Sequence, residues 1–206
     1  MSEIRPNLFL GARSDAREHK LRENGIKNVL SIEWAKPPLP NNICNKFVYV
    51  NDDPDADLLS LMPECVKFIE NSIESGGVLV HCFMGISRSS TIVAAYLMKN
   101  EKISFDDALT SIRKARPQAR PNFGFRQQLD LFQKMCFKVD KENTQYKSHL
   151  LRELGVAFKG PNLSALAGWT TITKTWQRQD KPVTRCKNRF LVINIRLNSR
   201  MRAIKW

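Results

Sequence analysis

The sequence predicts an α/β fold with a central, mostly parallel sheet of about four to five strands flanked by helices, and two observations predict it. Short apolar runs rich in β-branched residues indicate strands at residues 28–32, 47–50 and 78–80, and more weakly at 8–10. Between the second and third of these runs, apolar residues recur at three- and four-residue steps over residues 58–73, and the pattern ends at Gly76 and Gly77. A helix between two strands is the unit from which parallel sheets are built.

The chain after the third run is predicted to be helical up to a boundary near residue 142. Helical patterns occur at residues 90–100, 105–115 and 123–137, whereas residues 36–42, with three prolines, indicate a loop. Beyond residue 142 the periodicity fades. We therefore assign residues 1–142 to one domain and residues 143–206 to a C-terminal extension. Most of residues 155–206 are expected to pack poorly, and the apolar run at 190–195 could be a strand or disordered.

Composition agrees with one domain and a basic extension. The chain has 206 residues, of which 42% are hydrophobic, enough for the core of one ordinary domain. Residues 1–143 carry 20 basic and 18 acidic side chains, whereas residues 144–206 carry 13 and 2, so the formal net charge of +13 lies almost entirely in the extension. The extension also contains Trp169, Trp176 and Trp206, a combination compatible with RNA or ribosomal contact. The alternative interpretation is a solvated tail.

The sequence also excludes several classes of protein. No apolar stretch is long enough to span a membrane, and Glu3 and Arg5 interrupt the region where a signal peptide would have its apolar core. Five irregularly spaced cysteines do not form a disulfide framework, so we expect a reducing compartment, the cytoplasm or the nucleus. With three histidines and no C-x-x-C pair, we expect no metal site and no cofactor.

The residues that carry chemistry follow the run at 78–80. Here a predicted strand leads through a short loop into a predicted helix, and backbone N–H groups in such a turn form a concave site for an anion of phosphate size. The predicted phosphate-binding residues are Phe83, Met84, Gly85, Ile86, Ser87 and Arg88. Gly85 permits the tight backbone, and the guanidinium of Arg88 binds two phosphate oxygens at once.

Cys82 is predicted to be the nucleophile, because N–H donors, a helix start and a nearby cation favour the thiolate. A thiolate beneath a bound phosphate can attack phosphorus and form a phosphocysteine, which water then hydrolyses. Ser89 can hydrogen-bond the sulfur and help it leave during that hydrolysis. His81 is expected to hydrogen-bond loop backbone and hold the cysteine in place. The alternative interpretation of Cys82 is a buried core thiol. Cys44, Cys65 and Cys136 are expected to be ordinary core residues, although they remain candidate redox partners for Cys82.

A general acid is predicted from the loop after the run at 47–50. Parallel strands place this loop and Cys82 at the same edge of the sheet. Asp52 is the favoured acid and Asp53 the second choice, whereas Asp55 and Asp57 are expected to be helix N-terminal charges. The alternative for Asp52 is a solvated loop carboxylate or a helix cap.

Residues 81–90 resemble the signature of cysteine-dependent protein phosphatases, and residues 86–89 look like the dual-specificity family. Asp52 matches that family's general acid. Residues 120–125, followed by Gln128 and Leu129, resemble its downstream helix entry, and the resemblance implies that Asn122 supports the phosphate loop. Similarity extends over residues 4–139. It implies a cysteine-phosphatase architecture and hydrolysis of phosphotyrosine and phosphoserine or phosphothreonine in phosphoproteins through a phosphocysteine.

Within that family, residues 57–59 and 131–140 look most like a subgroup whose full-length members carry a C-terminal zinc-binding domain and are linked to ribosome assembly. Here Asn188 stands where a second cysteine would follow Cys186, so the chain lacks the zinc domain's pattern. Met84 also replaces the alanine common in the loop, a change that leaves the backbone donors intact.

Two other functions compete with a protein phosphatase. One is a phosphatase of a non-protein phosphate ester, but residues 83–87 contain no lysine to bind a polyanionic head group. The other is an inactive phospho-binding or ribosome-associated module acting through the basic extension. The presence of Cys82, Arg88 and Asp52 together favours an enzyme.

Overall fold

The computed structural model describes residues 1–140 and 142–153. The predicted apolar run at 190–195, the three tryptophans of the extension and Cys186 lie outside the described residues. Within the described residues, no helix is long and apolar enough to cross a membrane.

Five strands form one sheet, which confirms the predicted α/β class and the mostly parallel arrangement. They are β1 (Ser2–Arg5), β2 (Leu8–Ala12), β3 (Ile26–Glu33), β4 (Cys44–Tyr49) and β5 (Gly77–Cys82). The order across the sheet is β1-β2-β5-β3-β4, and only β1 runs antiparallel to its neighbour. β1 was not predicted, because this edge strand has a single buried side chain, Ile4, and therefore no apolar run.

Six helices flank this sheet in the described part of the chain. They are α1 (Glu18–Glu23), α2 (Met62–Ser75), α3 (Arg88–Glu101), α4 (Phe105–Ala115), α5 (Phe123–Lys134) and α6 (Thr144–Glu153). The predicted bounds of α4 are confirmed. α5 ends three residues earlier than predicted because Cys136 and Phe137 adopt positive φ angles of 54° and 61°, which an α-helix cannot continue through. α1 was missed because it is short and buries only Leu21.

The start of α2 also differs from the prediction. The apolar pattern at residues 58–73 was interpreted as one helix, but its first turn is a separate 3-10 helix, Leu59–Leu61, and α2 begins at Met62. Pro63 lies in the first turn of α2, where its missing N–H costs no hydrogen bond. At the other end, Gly76 has a φ of 138° and ends the helix as predicted.

The residues that follow the predicted domain boundary at 142 form a helix that packs against the main apolar cluster. Tyr146 on α6 is only 3% exposed and belongs to the main apolar cluster, against which Leu150 also packs. Asn143 begins this helix by accepting hydrogen bonds from the backbone N–H groups of Gln145 and Tyr146. The helix was missed because it offers few apolar residues to a periodicity search.

The central strand β5 positions the site. All six of its residues are buried, since β2 and β3 pair with its edges and helices cover its faces. Its last residue is Cys82, and α3 begins six residues later at Arg88. Because β3, β4 and β5 are parallel, the segments that follow them emerge at the same edge of the sheet.

Candidate active site

The loop that joins β5 to α3, residues 83–87, is here called the cysteine loop. Its tight turn depends on Gly85, whose φ of 68° lies in the left-handed region. A Cβ at this position would overlap the carbonyl of Gly11 and the guanidinium of Arg116. Phe83 and Met84 are 49% and 58% exposed, whereas Ser87 is buried. The predicted phosphate-binding loop is therefore a fixed turn with an open outer side.

Cys82, the last residue of β5, lies beneath this turn and close to the first turn of α3. It is 1% exposed, and its Sγ accepts hydrogen bonds from the backbone N–H of Gly85 and from the hydroxyl of Ser89, both at 3.2 Å. Such bonds, together with the positive end of a helix, stabilise a thiolate relative to a thiol. The structure thus brings Cys82 and Ser89 into the contact that the sequence predicted.

Arg88 bridges the cysteine loop and the loop after β4. Its side chain is almost completely buried, one terminal nitrogen donates to the carbonyl of Val50 at 3.2 Å, and its Nε lies 3.7 Å from the Oδ2 of Asp52. The guanidinium therefore has a fixed orientation beside the turn. A fixed, planar cation at this place is suited to binding two oxygens of one phosphate.

Residues 50–58, here called the aspartate loop, carry the predicted general acid. Oδ1 of Asp52 accepts hydrogen bonds from Ser87 Oγ at 2.7 Å and from Asn122 Nδ2 at 2.9 Å. The side chain of Asp53 instead accepts from the N–H of Asp55, within its own loop. Of the two candidate acids, Asp52 is therefore the one in contact with the cysteine loop.

The other two carboxylates of the aspartate loop are not the ones that Ser87 bonds. Asp57 accepts from the N–H of Ser60, inside the 3-10 helix, at 3.0 Å, so its charge lies at the start of that helix as predicted. Asp55 contributes its backbone N–H to the turn at Asp53, and the described contacts give its side chain no part in the site.

Asn122 connects both loops to α5. Its backbone N–H donates to Ser87 Oγ at 3.1 Å, its side-chain N–H donates to Asp52, and its side-chain oxygen caps α5 by accepting from the N–H of Phe125. The resemblance implied support of the phosphate loop, and the structure places Asn122 where it contacts that loop and the candidate acid together.

Two residues hold the two loops from outside: Arg116, which sequence reasoning missed, and Gln128, which it named in the resemblance without predicting its contacts. Arg116, 6% exposed, donates from Nε to the carbonyl of Gly85 at 2.7 Å and from a terminal nitrogen to that of Met84 at 3.1 Å. Gln128, fully buried, accepts from the N–H groups of Leu58 and Leu59 and donates to the carbonyl of Ala56.

Gly124 also fixes the aspartate loop, because a Cβ there would overlap the backbone of Pro54. The loop therefore lies directly against the first turn of α5. Gly124 and Gln128 are four residues apart and therefore share one face of α5. A glycine lets a backbone segment approach closely and a glutamine can hydrogen-bond it, so this pair is the sequence signal that could have revealed the contacts.

His81 contacts the backbone of Cys82 and a side chain of the neighbouring strand. Its Nε2 lies 2.9 Å from the Oγ of Ser31 on β3, and its Nδ1 is 3.5 Å from the carbonyl of Cys82, so its principal partner is a side chain of the neighbouring strand. Burial is the main reason that its pKa falls to about 4, and the imidazole is therefore neutral at physiological pH. It anchors the end of β5, the strand that carries Cys82.

The remaining cysteines divide between core and surface. Cys65 is buried, as predicted, and burial raises the pKa of its thiol to about 12. The same prediction is wrong for Cys44 and Cys136, which are exposed. Cys44 begins the edge strand β4, and Cys136 lies in the left-handed turn after α5, so neither faces the core. No group of three or more histidine, cysteine or acidic side chains in the described part of the chain is arranged to hold a metal ion.

Comparison with known proteins associates this geometry with one family. Residues 8–135 match the sequence profile described as "Dual specificity phosphatase, catalytic domain". Dual specificity protein phosphatase 1B of Arabidopsis thaliana is 44% identical over 137 residues, which cover 65% of this chain and 82% of that protein. Human dual specificity protein phosphatase 12 is 38% identical over 173 residues, which cover 81% of this chain but only 50% of that protein.

Solved structures give the same association. The crystal structure of human tyrosine phosphatase-like serine/threonine/tyrosine-interacting protein is similar with a TM-score of 0.64 and 31% identity, covering 67% of this chain and 98% of that one. Residues 8–135, which match the family profile, contain Asp52, the cysteine loop and the whole of α5.

Proposed function

The chain belongs to the dual-specificity phosphatase family, and on this premise we propose that it hydrolyses phosphotyrosine and phosphoserine or phosphothreonine monoesters in proteins through a phosphocysteine intermediate. The observation that carries the proposal is the pair of hydrogen bonds to Cys82 Sγ, from Gly85 and Ser89, beneath a turn flanked by Arg88. A core thiol would need neither donor, whereas a nucleophilic thiolate is stabilised by both.

The first step is in-line attack of the Cys82 thiolate on phosphorus. An S–P bond forms as the bond between phosphorus and the leaving oxygen breaks, and the leaving oxygen takes a proton from Asp52. Backbone N–H groups of the cysteine loop and the guanidinium of Arg88 stabilise the phosphoryl oxygens during transfer. Asp52 lies beside Ser87 and Asn122, which orient its carboxyl group towards the loop.

The second step is hydrolysis of the phosphocysteine. Asp52, now ionised, accepts a proton from water as the water oxygen attacks phosphorus. The S–P bond breaks, inorganic phosphate is released and Cys82 leaves as a thiolate. The Ser89 hydroxyl donates to Sγ at 3.2 Å and stabilises the charge that returns to sulfur.

The site of action proposed is the cytoplasm or the nucleus, because a catalytic thiolate requires a reducing compartment. Phosphoproteins are the proposed substrates. Contact with RNA or the ribosome through the basic extension stays a prediction, since the extension beyond α6 lies outside the described residues.

The test is hydrolysis of 4-nitrophenyl phosphate, a phosphotyrosine peptide and a phosphoserine peptide in the presence of EDTA and a thiol reductant. We expect wild-type turnover of all three, loss of turnover in Cys82→Ser, and retention in the matched control Cys136→Ser, which alters an exposed thiol. Near-wild-type turnover by Cys82→Ser would exclude this nucleophile. Turnover of the tyrosine peptide alone would exclude dual specificity.

A further inference from the structure

We propose that a basic pocket beside Asp52 binds a second acidic group of the substrate, a carboxylate or a second phosphate close in sequence to the scissile phosphate. The inference rests on the proposed function and specifies its substrate class. The pocket has a volume of about 430 Å³. Asp52 and Ser87 form one side, and Arg120, Phe123 and Arg126, from the entry to α5 and its first turn, form the other.

The pocket is fixed to the cysteine loop. The backbone N–H of Arg120 donates to the carbonyl of Ile86 at 2.8 Å. Arg120, which supplies one of the two positive charges, therefore lies directly beside the cysteine loop. The Nε of Arg126 donates to the carbonyl of Pro121 at 3.2 Å. The backbone of Arg120 and the side chain of Arg126 are thus held in place before any substrate is bound, which lowers the entropic cost of binding.

The pocket has an excess of positive charge. In the part of the chain that the structure describes, the ion pairs of arginine involve Arg5, Arg13 and Arg88, and neither pocket arginine is paired with a carboxylate. The one acidic side chain in the wall, Asp52, already accepts two hydrogen bonds and lies 3.7 Å from Arg88. Two guanidinium groups without carboxylate partners are suited to binding carboxylate or phosphate oxygens.

The position of the pocket determines which part of a substrate would enter it. A bound phosphate lies on the cysteine loop, and its leaving oxygen must reach Asp52 to receive a proton. The peptide segment next to the phosphorylated residue therefore passes the wall formed by Asp52 and Ser87. Phe123, 71% exposed, provides an apolar surface at the same opening for the stem of that segment. Phosphoproteins with an acidic group near the phosphorylated residue are the substrates that this surface favours.

The test compares the kcat/KM values of phosphopeptides that differ at one position. A neutral parent peptide is compared with versions that carry aspartate, lysine or a second phosphoserine at each of the flanking positions. We expect wild type to prefer the best acidic peptide over the neutral one by about fivefold to tenfold, the size expected for partly exposed charge pairs. The preference should decrease as salt is raised. Preference for the doubly phosphorylated peptide alone would identify phosphate, and equal preference would identify any acidic group.

The variants test whether the two arginines cause the preference. Arg120→Gln combined with Arg126→Gln should reduce the preference to within about twofold of none, and the double change to glutamate should favour the lysine peptide instead. Arg126→Lys retains the charge and should retain the preference. The matched control is Arg22→Gln, an exposed arginine at the end of α1, near the amino end of β3 and hence at the opposite edge of the sheet. Thermal unfolding of each variant checks that it is folded.

The outcomes separate the inference from the function on which it rests. Wild-type turnover with equal rates for acidic and neutral peptides overturns the pocket's role and leaves the phosphatase proposal in place. A preference that the double glutamine variant retains also overturns it. If wild type hydrolyses none of the peptides, the proposed function fails. The dissociation constants of the same peptides for Cys82→Ser then test the pocket by itself, and equal constants for acidic and neutral peptides overturn it.

Discussion

The cysteine loop and the aspartate loop meet at one site but are held in different ways. The cysteine loop follows the central strand β5, where every residue is buried, and Cys82 is bonded from within its own turn and helix by Gly85 and Ser89. The aspartate loop follows the edge strand β4 and is largely exposed, with Asp52 held by groups from Ser87 and Asn122. The nucleophile is thus placed by local structure, whereas the acid is placed by packing against distant segments.

Because the two loops are held differently, nucleophilic attack by Cys82 and proton donation by Asp52 can be impaired separately. Damage to the cysteine loop removes the binding of phosphate and should slow every substrate equally. Damage to the aspartate loop should slow only substrates whose leaving group needs a proton. A phosphoserine peptide has such a leaving group, whereas 4-nitrophenol leaves with little protonation, so the ratio of the two rates identifies the damaged loop.

Arg88→Lys should have the largest effect. Lysine retains the charge but cannot donate a parallel pair of N–H bonds to phosphate, and we expect turnover of both substrates to fall about thousandfold. The ratio of the two rates should stay unchanged. Steady-state kinetics measures both values, with Arg22→Lys as the control at an exposed arginine. A selective loss on the phosphoserine peptide would mean that Arg88 acts chiefly through its neighbour Asp52.

Asp52→Asn should change the ratio instead. We expect the rate on the phosphoserine peptide to fall about a hundredfold or more because asparagine cannot protonate the leaving oxygen, and that on 4-nitrophenyl phosphate to fall much less. The matched control is Asp53→Asn, which alters the adjacent carboxylate that accepts from Asp55 within the loop. If the selective loss occurs in Asp53→Asn and not in Asp52→Asn, the acid is Asp53.

The pH dependence of the hydrolysis rate also distinguishes the contributions of the two loops. Wild type needs Cys82 ionised and the acid protonated for the first step, so its profile on the phosphoserine peptide should be bell-shaped. In Asp52→Asn, the limb that falls at higher pH should be lost. A profile with both limbs intact in this variant would place the general acid elsewhere.

Gln128→Met should affect stability and the acid together. The substitution keeps the length of the side chain but removes three hydrogen bonds of the aspartate loop. The buried N–H of Leu59 loses its Gln128 partner, whereas the N–H of Leu58 and the carbonyl of Ala56 keep only the bond between them. We expect the free energy of unfolding to fall by about 3 kcal/mol and the phosphoserine rate to fall about tenfold, with a smaller change on 4-nitrophenyl phosphate. Denaturant titration measures the first value. Gln127→Met, an exposed neighbour on the same helix, is the control, and equal effects of both variants would contradict this role.

The contrast between the loops also explains what the sequence alone could predict. Cys82, Arg88 and Ser89 lie within eight consecutive residues, so their contacts follow from one turn and the start of one helix. Asp52 was predictable because parallel strands bring their carboxyl ends together. Gln128, by contrast, contacts a backbone 69 and 70 residues away, and this depends on how α5 packs.

The missed elements have a related cause. β1 and α6 each bury a small number of apolar side chains against a core made by the rest of the chain, so neither has a periodic pattern of its own. Their positions are set by tertiary contacts. The exposure of Cys44 was unpredictable for the same reason, because an apolar residue in a strand is buried only if that strand is covered on the relevant face.

The smallest predicted effect concerns the buried end of β5. Burial lowers the pKa of His81 from 6.5 to about 4, so the folded protein keeps a neutral imidazole where the unfolded chain is protonated. Below pH 6.5 the unfolded state therefore binds the additional proton, and the free energy of unfolding should fall by about 1 kcal/mol between pH 6.5 and about 5.5 on account of this residue. Denaturant titrations at the two pH values measure the slope, which His81→Asn should reduce by that amount even if the variant is less stable throughout. His19→Asn, at an exposed position of α1, is the control. If His81→Asn keeps the wild-type slope, His81 binds a proton as readily in the folded protein as in the unfolded chain. Its burial at the end of β5 then makes no contribution to the pH dependence of the free energy of unfolding.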